Sequence, residues 1–284
     1  MKLLVALTLV GLVGSAVAED FVAPIEVDYH NKIGIPEAAR IKAAEEALDF
    51  DGGRIVGGAA AGLGQYPYLG GLVITMSTGA TSVCGSSLIS NTRAVTAAHC
   101  WQSTGGAARS FTVVLGSTLL FSGGTRITTS DVTMHGSYNM WTLVNDVAII
   151  RLSWVTYTNT IRNIPLASGT NQFVGTWAWA AGFGRTSDTA GISTNQFLSH
   201  VQVQVITNAV CQQTYGTTTV QASTICVATT GGRGTCGGDS GGPLVADNQL
   251  IGITSFGHVS GCQRNFPAGF ARVTAFNAWI SSQL

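Results

Sequence analysis

The chain has 284 residues, 45% hydrophobic and 10% charged, with 36 glycines and 6 prolines. That composition excludes a disordered chain and is long enough for a sizeable core. The formal net charge of zero hides a split at Arg54: five Lys/Arg face nine Asp/Glu up to that residue, and nine arginines face five aspartates after it. Two pieces of opposite sign suggest two fates, and neither piece has the Lys/Arg cluster that nucleic-acid binding requires.

Met1 to Ala18 has a lysine at position 2, an apolar run from Leu3 to Val13 and the small-x-small end Ala16-Val17-Ala18. This predicts a signal peptide over 1–18 and a secreted, extracellular product, the run being too short to anchor in a membrane. Residues 19–54 form an acidic, cysteine-free segment. Pro36 to Leu48 suits a helix, with proline in the first turn and alanine throughout, and Asp51-Gly52-Gly53-Arg54 offers one basic residue for cleavage in a flexible loop.

From Ile55 the texture changes. Short runs rich in Val, Ile, Thr and aromatics (69–75, 110–115, 146–152, 176–181, 201–206, 249–255) are separated by Gly and Asn. They predict an all-β sandwich or barrel over 55–284. The only good helix signal in this piece is at the end, where Val273, Phe276 and Ile280 share a face. All six cysteines lie here without a C-x-x-C pair, which argues against zinc and, with an export signal, for disulfides whose pairing stays open.

Three segments carry chemistry. Gly237-Gly238-Asp239-Ser240-Gly241-Gly242-Pro243 puts a hydroxyl on a glycine-rich turn, where side chain and N–H groups can face the same way. Thr96-Ala97-Ala98-His99-Cys100 follows a strand-like run, and Asp146 opens the apolar run Val147-Ala148-Ile149-Ile150. A hydroxyl, a base with pKa near neutrality and a carboxylate to orient it are what acyl transfer needs.

These motifs, with Arg54-Ile55-Val56-Gly57-Gly58, resemble the chymotrypsin/trypsin family of serine endopeptidases from Arg54 to the C-terminus. The resemblance implies two packed six-stranded antiparallel β-barrels with a C-terminal helix. It implies Ser240 as nucleophile, His99 as base then acid, Asp146 as orienting carboxylate and Ser255 as a support for Asp146. The N–H groups of Gly238 and Ser240 would form the oxyanion hole. Cleavage after Arg54 would free the ammonium of Ile55 to pair with Asp239, making the secreted form an inactive zymogen. The implied disulfides are Cys84–Cys100, Cys211–Cys226 and Cys236–Cys262. With no cysteine in 19–54, the propeptide should leave once cut.

By the same resemblance Gly234 lies at the base of the primary specificity pocket, with Thr235, Gly257 and Ala268 on its walls. A pocket without a carboxylate cannot balance a desolvated Lys or Arg, so the preference expected before the scissile bond is for large apolar or aromatic residues. Some crustacean collagenolytic relatives also have Gly at the base but add an acid deeper down, which Ala268 cannot supply. Residues 113–117 and 122–127 look similar to midgut chymotrypsins of insects, moth larvae especially, and the lack of lysine after Arg54 suits an alkaline lumen. The expected partners are protein or peptide substrates, a trypsin-like activating protease and protein protease inhibitors. A monomer with no metal, no cofactor, no membrane contact and a digestive role completes this reading. Residues 120–132, resembling a calcium-loop region, hold one acid, Asp131, too few for calcium. His135, His200 and His258 read as surface or loop residues. Two other classes fit less well: a dead homologue would show a replaced triad residue, and a cascade protease would show cysteine-rich N-terminal domains and a trypsin-like pocket.

Overall fold

The structure is a computed structural model that describes residues 24–51, 61–188 and 198–284. The signal segment 1–18 and the junction residues Arg54 and Ile55 lie outside the described residues.

The first half of the body consists of β1 (Leu69–Met76), β2 (Thr81–Ser90), β3 (Arg93–Thr96), β4 (Gln102–Ser103), β5 (Gly106–Leu115), β6 (Thr125–Thr129), β7 (Val132–Met134) and β8 (Ala148–Arg151). They pair antiparallel in the order β4-β5-β1-β2-β3-β8-β7, with β6 also on β5. This is the expected barrel, with its ladder open at one place. Ser130 and Asp131 alone separate β6 from β7, so one bent stretch of chain runs from the β5 edge to the β8 edge. Closure is by chain continuity rather than by a complete ladder, and β4 is a two-residue addition. Alternation along β5 sends Phe111 and Val113 inward beside Leu72 and Ile74 of β1, all fully buried; each such side chain contributes about 1.5–3 kcal/mol.

The second half is a closed six-stranded barrel of β9 (Trp177–Gly182), β10 (Ser199–Ile206), β11 (Thr224–Ala228), β12 (Pro243–Ala246), β13 (Gln249–Phe256) and β14 (Ala268–Arg272), ordered β10-β11-β14-β13-β12-β9. Closure removes exposed strand edges.

Among the described residues, three α-helices complete the fold. α1 (Ile35–Asp51) follows a short π-helical turn, His30–Gly34, and matches the helix predicted over 36–48. α2 (Asn208–Thr219) was not expected, because Thr and Gly are poor helix formers. Three things hold it: Thr207 caps its start by accepting the Val210 N–H, Tyr215 is fully buried, and a disulfide ties Cys211 to Cys226. α3 (Val273–Ser281) buries Val273, Phe276 and Ile280 as predicted. The chain just beyond α3 grips the first barrel, Arg93 Nε donating to the Gln283 carbonyl at 2.7 Å and Arg151 to its side chain at 3.0 Å. One apolar cluster runs through both barrels, so the seam between them is set rigidly. Among the described residues no helix is long and apolar enough to cross a membrane.

Candidate active site

The seam brings the three motif segments together from separate elements. His99 sits on the 3-10 turn Ala98–Cys100 directly after β3, and the Cys84–Cys100 disulfide anchors that turn to β2. Asp146 precedes β8, which pairs with β3. Ser240 stands on the turn before β12, and Ser255 lies in β13. The Ser240 turn is tied to the first barrel through the Ser240 carbonyl, which accepts the Gly85 N–H at 2.6 Å. That approach requires glycine at 241. Its φ is 79°, and a Cβ there would lie 2.1 Å from Thr96 Oγ1 and 2.5 Å from the Gly85 carbonyl oxygen.

Asp146 is fully engaged. Its Oδ1 accepts the His99 backbone N–H at 2.9 Å, and its Oδ2 accepts both His99 Nδ1 at 2.7 Å and Ser255 Oγ at 2.6 Å. The side chains of His99 and Asp146 are only 2% and 1% exposed, so the ion pair that forms when His99 takes a proton would be shielded from water. Holding the proton on Nδ1 leaves Nε2 as the acceptor. Nε2 is buried without a hydrogen-bond partner among the described residues. His99 and Ser240 line the same cavity, about 280 Å³ in volume.

The turn bearing Ser240 depends on glycine. Gly238 has φ 99°, a conformation glycine alone adopts readily. Asp239 turns inward from it, Oδ1 accepting the Gly184 N–H at 2.8 Å and Oδ2 the Cys236 N–H at 2.9 Å. Burial pushes its pKa up to about 6; the two N–H groups and Arg40 oppose the rise, and Glu37 adds to it. Asp239 also lines a second cavity with Trp179, His200 and Gly234.

The pocket residues divide. Thr235 and Gly257 line the cavity shared with Ser240, whereas Gly234 lines the second cavity and Ala268 is buried within β14. The Cys236–Cys262 bridge lies on the cavity wall. Asp188, which sequence reasoning passed over, also lines it, its carboxylate accepting the N–H groups of Cys262 at 2.7 Å and Gln263 at 3.0 Å. Among the described residues, two clusters bring together three residues of metal-ligating type, but both rest on disulfide cysteines, which have no thiolate to offer. His135 and His258 pack on aromatic rings beside the body. His200 departs from expectation, lying in β10 and stacking on Trp179 with ring centroids 4.8 Å apart.

Also missed were residues of the acidic segment. Tyr29 lies edge-on to His99, centroids 4.7 Å apart, and donates its hydroxyl to the Val83 carbonyl at 2.7 Å within reach of the Ser240 side chain. The one sequence signal was a helix stripe, Glu37, Ala38, Ile41, Ala44 and Glu45, that mixes apolar residues with acids and reads as a solvated face.

A buried imidazole oriented by a carboxylate, beside a hydroxyl on a glycine turn at a barrel seam, defines a hydrolase that works by acyl transfer. Residues 55–280 match the family described as Trypsin. The chain is 39% identical to the collagenase of Hypoderma lineatum, over 80% of this chain and 86% of that one. It is 41% identical to the brachyurin of Leptuca pugilator, over 81% and 98%. The solved structure of HL collagenase superposes with a TM-score of 0.74 at 38% identity, covering 81% of this chain and 98% of that one. The chain belongs to the trypsin family of serine proteases.

Proposed function

We propose that the protein is a secreted digestive endopeptidase, made as a zymogen and cut after Arg54, with a chymotrypsin-like preference for large apolar residues before the scissile bond. The observation that carries the catalytic part is the saturated Asp146, whose hydrogen bond to His99 Nδ1 leaves Nε2, unpartnered among the described residues, as the nitrogen free to take a proton.

Ser240 Oγ attacks the substrate carbonyl as His99 Nε2 takes its proton, and Asp146 steadies the imidazolium. The N–H groups of Gly238 and Ser240 receive the oxyanion; losing one such donor costs about 10²–10³ in rate. His99 then protonates the leaving amine, and water repeats the sequence on the acyl-enzyme. The family match beginning at Ile55 supports the boundary at Arg54. The elevated pKa of Asp239 supports a site that lacks its cation until the Ile55 ammonium is freed. A buried ion is tolerable with its partner and strongly unfavourable without it.

Gly234, Thr235, Gly257 and Ala268 bring no charge to the primary pocket, and the carboxylate of Asp188 is held by Cys262 and Gln263. Asp188→Asn should therefore leave the apolar preference unchanged. Activating the secreted protein with trypsin and profiling a peptide library, with Ser240→Ala as control, tests the whole reading. Cleavage after Phe, Tyr, Leu or Met supports it, and dominant cleavage after Arg or Lys overturns the specificity. The name collagenase among the relatives favours collagen as a second substrate, tested by adding native collagen to the same assay.

A further inference from the structure

Residues 24–51 do not trail from the body; they cross the cleft. The Pro24 carbonyl accepts the Val259 N–H at 3.0 Å on the specificity side, and the Val27 carbonyl accepts Thr104 Oγ1 at 2.8 Å on the histidine side. Between these ties Tyr29 covers His99 and reaches Ser240. His30, fully buried, bonds Ser82 Oγ at 2.9 Å. Glu26, Tyr29, Lys32 and Ile33 line the same cavity as His99, Ser240 and Gly257.

Beyond the cleft the helix stripe becomes intelligible. Ala38, Ile41 and Ala44 are buried, Ile41 packing with Leu69 and Val83 of the first barrel and Phe183 of the second. The two acids of the stripe are buried as well, and each has a receptor on the body. Glu37 accepts from Arg185 Nε, and from Arg40 Nε of its own helix at 2.7 Å. Glu45 accepts the N–H groups of Leu120 and Phe121. A helix bound only by chance would not bury two carboxylates, since each needs a matched partner.

Next to His99 the segment is also wound rather than extended. Around Tyr29 the chain enters the π-helical turn His30–Gly34, where carbonyls serve intrahelical bonds and the backbone is not extended. No segment carbonyl accepts from the Gly238 or Ser240 N–H among the described residues.

We infer that residues 24–51 are an inhibitor of the chain's own cleft, a lock separate from the missing Ile55 ammonium, and that the released segment still binds the mature enzyme. This rests on the protease reading above. It makes the cleft a docking surface for an acidic helical peptide led by a tyrosine, and it predicts that the freshly cut enzyme is held back by its own leaving piece until diluted.

The test starts from the full chain, cut by trypsin and then gel-filtered free of trypsin and peptide. Hydrolysis of a chromogenic peptide is measured while synthetic peptide 24–51 is added. The expected result is competitive inhibition, KM rising with kcat unchanged, below about 100 µM peptide. Peptides carrying Tyr29→Ala or Glu37→Gln should inhibit at least about tenfold less well, a loss of about 1.4 kcal/mol. No inhibition at about 100 µM, or equal inhibition by the Tyr29→Ala peptide, overturns the inference. The peptide variants leave the enzyme untouched, so misfolding cannot mimic either result. If instead the protease reading is at fault, the filtered protein hydrolyses nothing before any peptide is added.

Discussion

Two carboxylates, the buried Asp146 and the half-buried Asp239, stand near Ser240, and they differ in how far each is provided for. Asp146 has three donors from three positions, the His99 backbone, the His99 ring and Ser255. Asp239 has two backbone N–H groups, and burial still holds its pKa near 6. On the proposed zymogen reading, the histidine half is complete before cleavage, whereas Asp239, its burial offset only in part by two N–H groups and Arg40, waits for the Ile55 ammonium. On that reading the fold assembles the base for catalysis in advance and leaves the shaping of the oxyanion turn to a later covalent event.

Replacements on the two sides should separate accordingly. The largest effect is expected from Asp146→Asn, which turns the imidazole to the wrong tautomer. The activated enzyme should lose about 10⁴ in kcat, the magnitude established for the equivalent change in this family, with little change in KM. Asp239→Asn should act through activation. Cut protein would bury the Ile55 ammonium without a partner, worth about 3–5 kcal/mol, so kcat/KM should fall by roughly 10²–10³ while tryptic cleavage after Arg54 proceeds normally.

The same Asp239 variant should alter the uncut chain in the opposite sense. A carboxyl whose folded pKa is raised favours the fold in its protonated form. That contribution is fully present below about 3.8 and disappears as pH rises through about 6. The precursor should therefore lose stability between those values, and Asp239→Asn should flatten the change, gaining at most about 3 kcal/mol at neutral pH. Thermal melts of both chains across pH check this.

Ser255→Ala should cost about tenfold in kcat, since Asp146 keeps two of its three donors and loses a bond worth roughly 1–1.5 kcal/mol. The smallest effect sits away from both carboxylates. Thr207→Ala removes the cap of α2 and should lower stability by about 1 kcal/mol with kcat/KM unchanged.

The histidine half was readable in the sequence because its residues lie in short motifs whose neighbours also have work to do: Ala97 and Cys100 around His99, Val147 and Ala148 after Asp146. Gly241 belongs to the same class, its Cβ position being filled by Thr96. The three disulfides likewise match the pairs the resemblance implied. What escaped rests on contacts between distant residues with no local pattern. Tyr29 meets His99 across 70 positions of chain, and Glu45 meets Leu120 across 75. α2 was hidden because Tyr215, a cap and a disulfide overcome poor propensity, and the bent β6–β7 stretch because a two-residue break is invisible in a run of Thr and Val.

Labelling of Ser240 by a fluorophosphonate probe, compared between the intact chain and the trypsin-cut chain, tests the central claim most directly. Mass spectrometry should find one probe on Ser240 of the cut chain and almost none on the intact chain at the same time point. Equal labelling of both, or no labelling after cleavage, would contradict it.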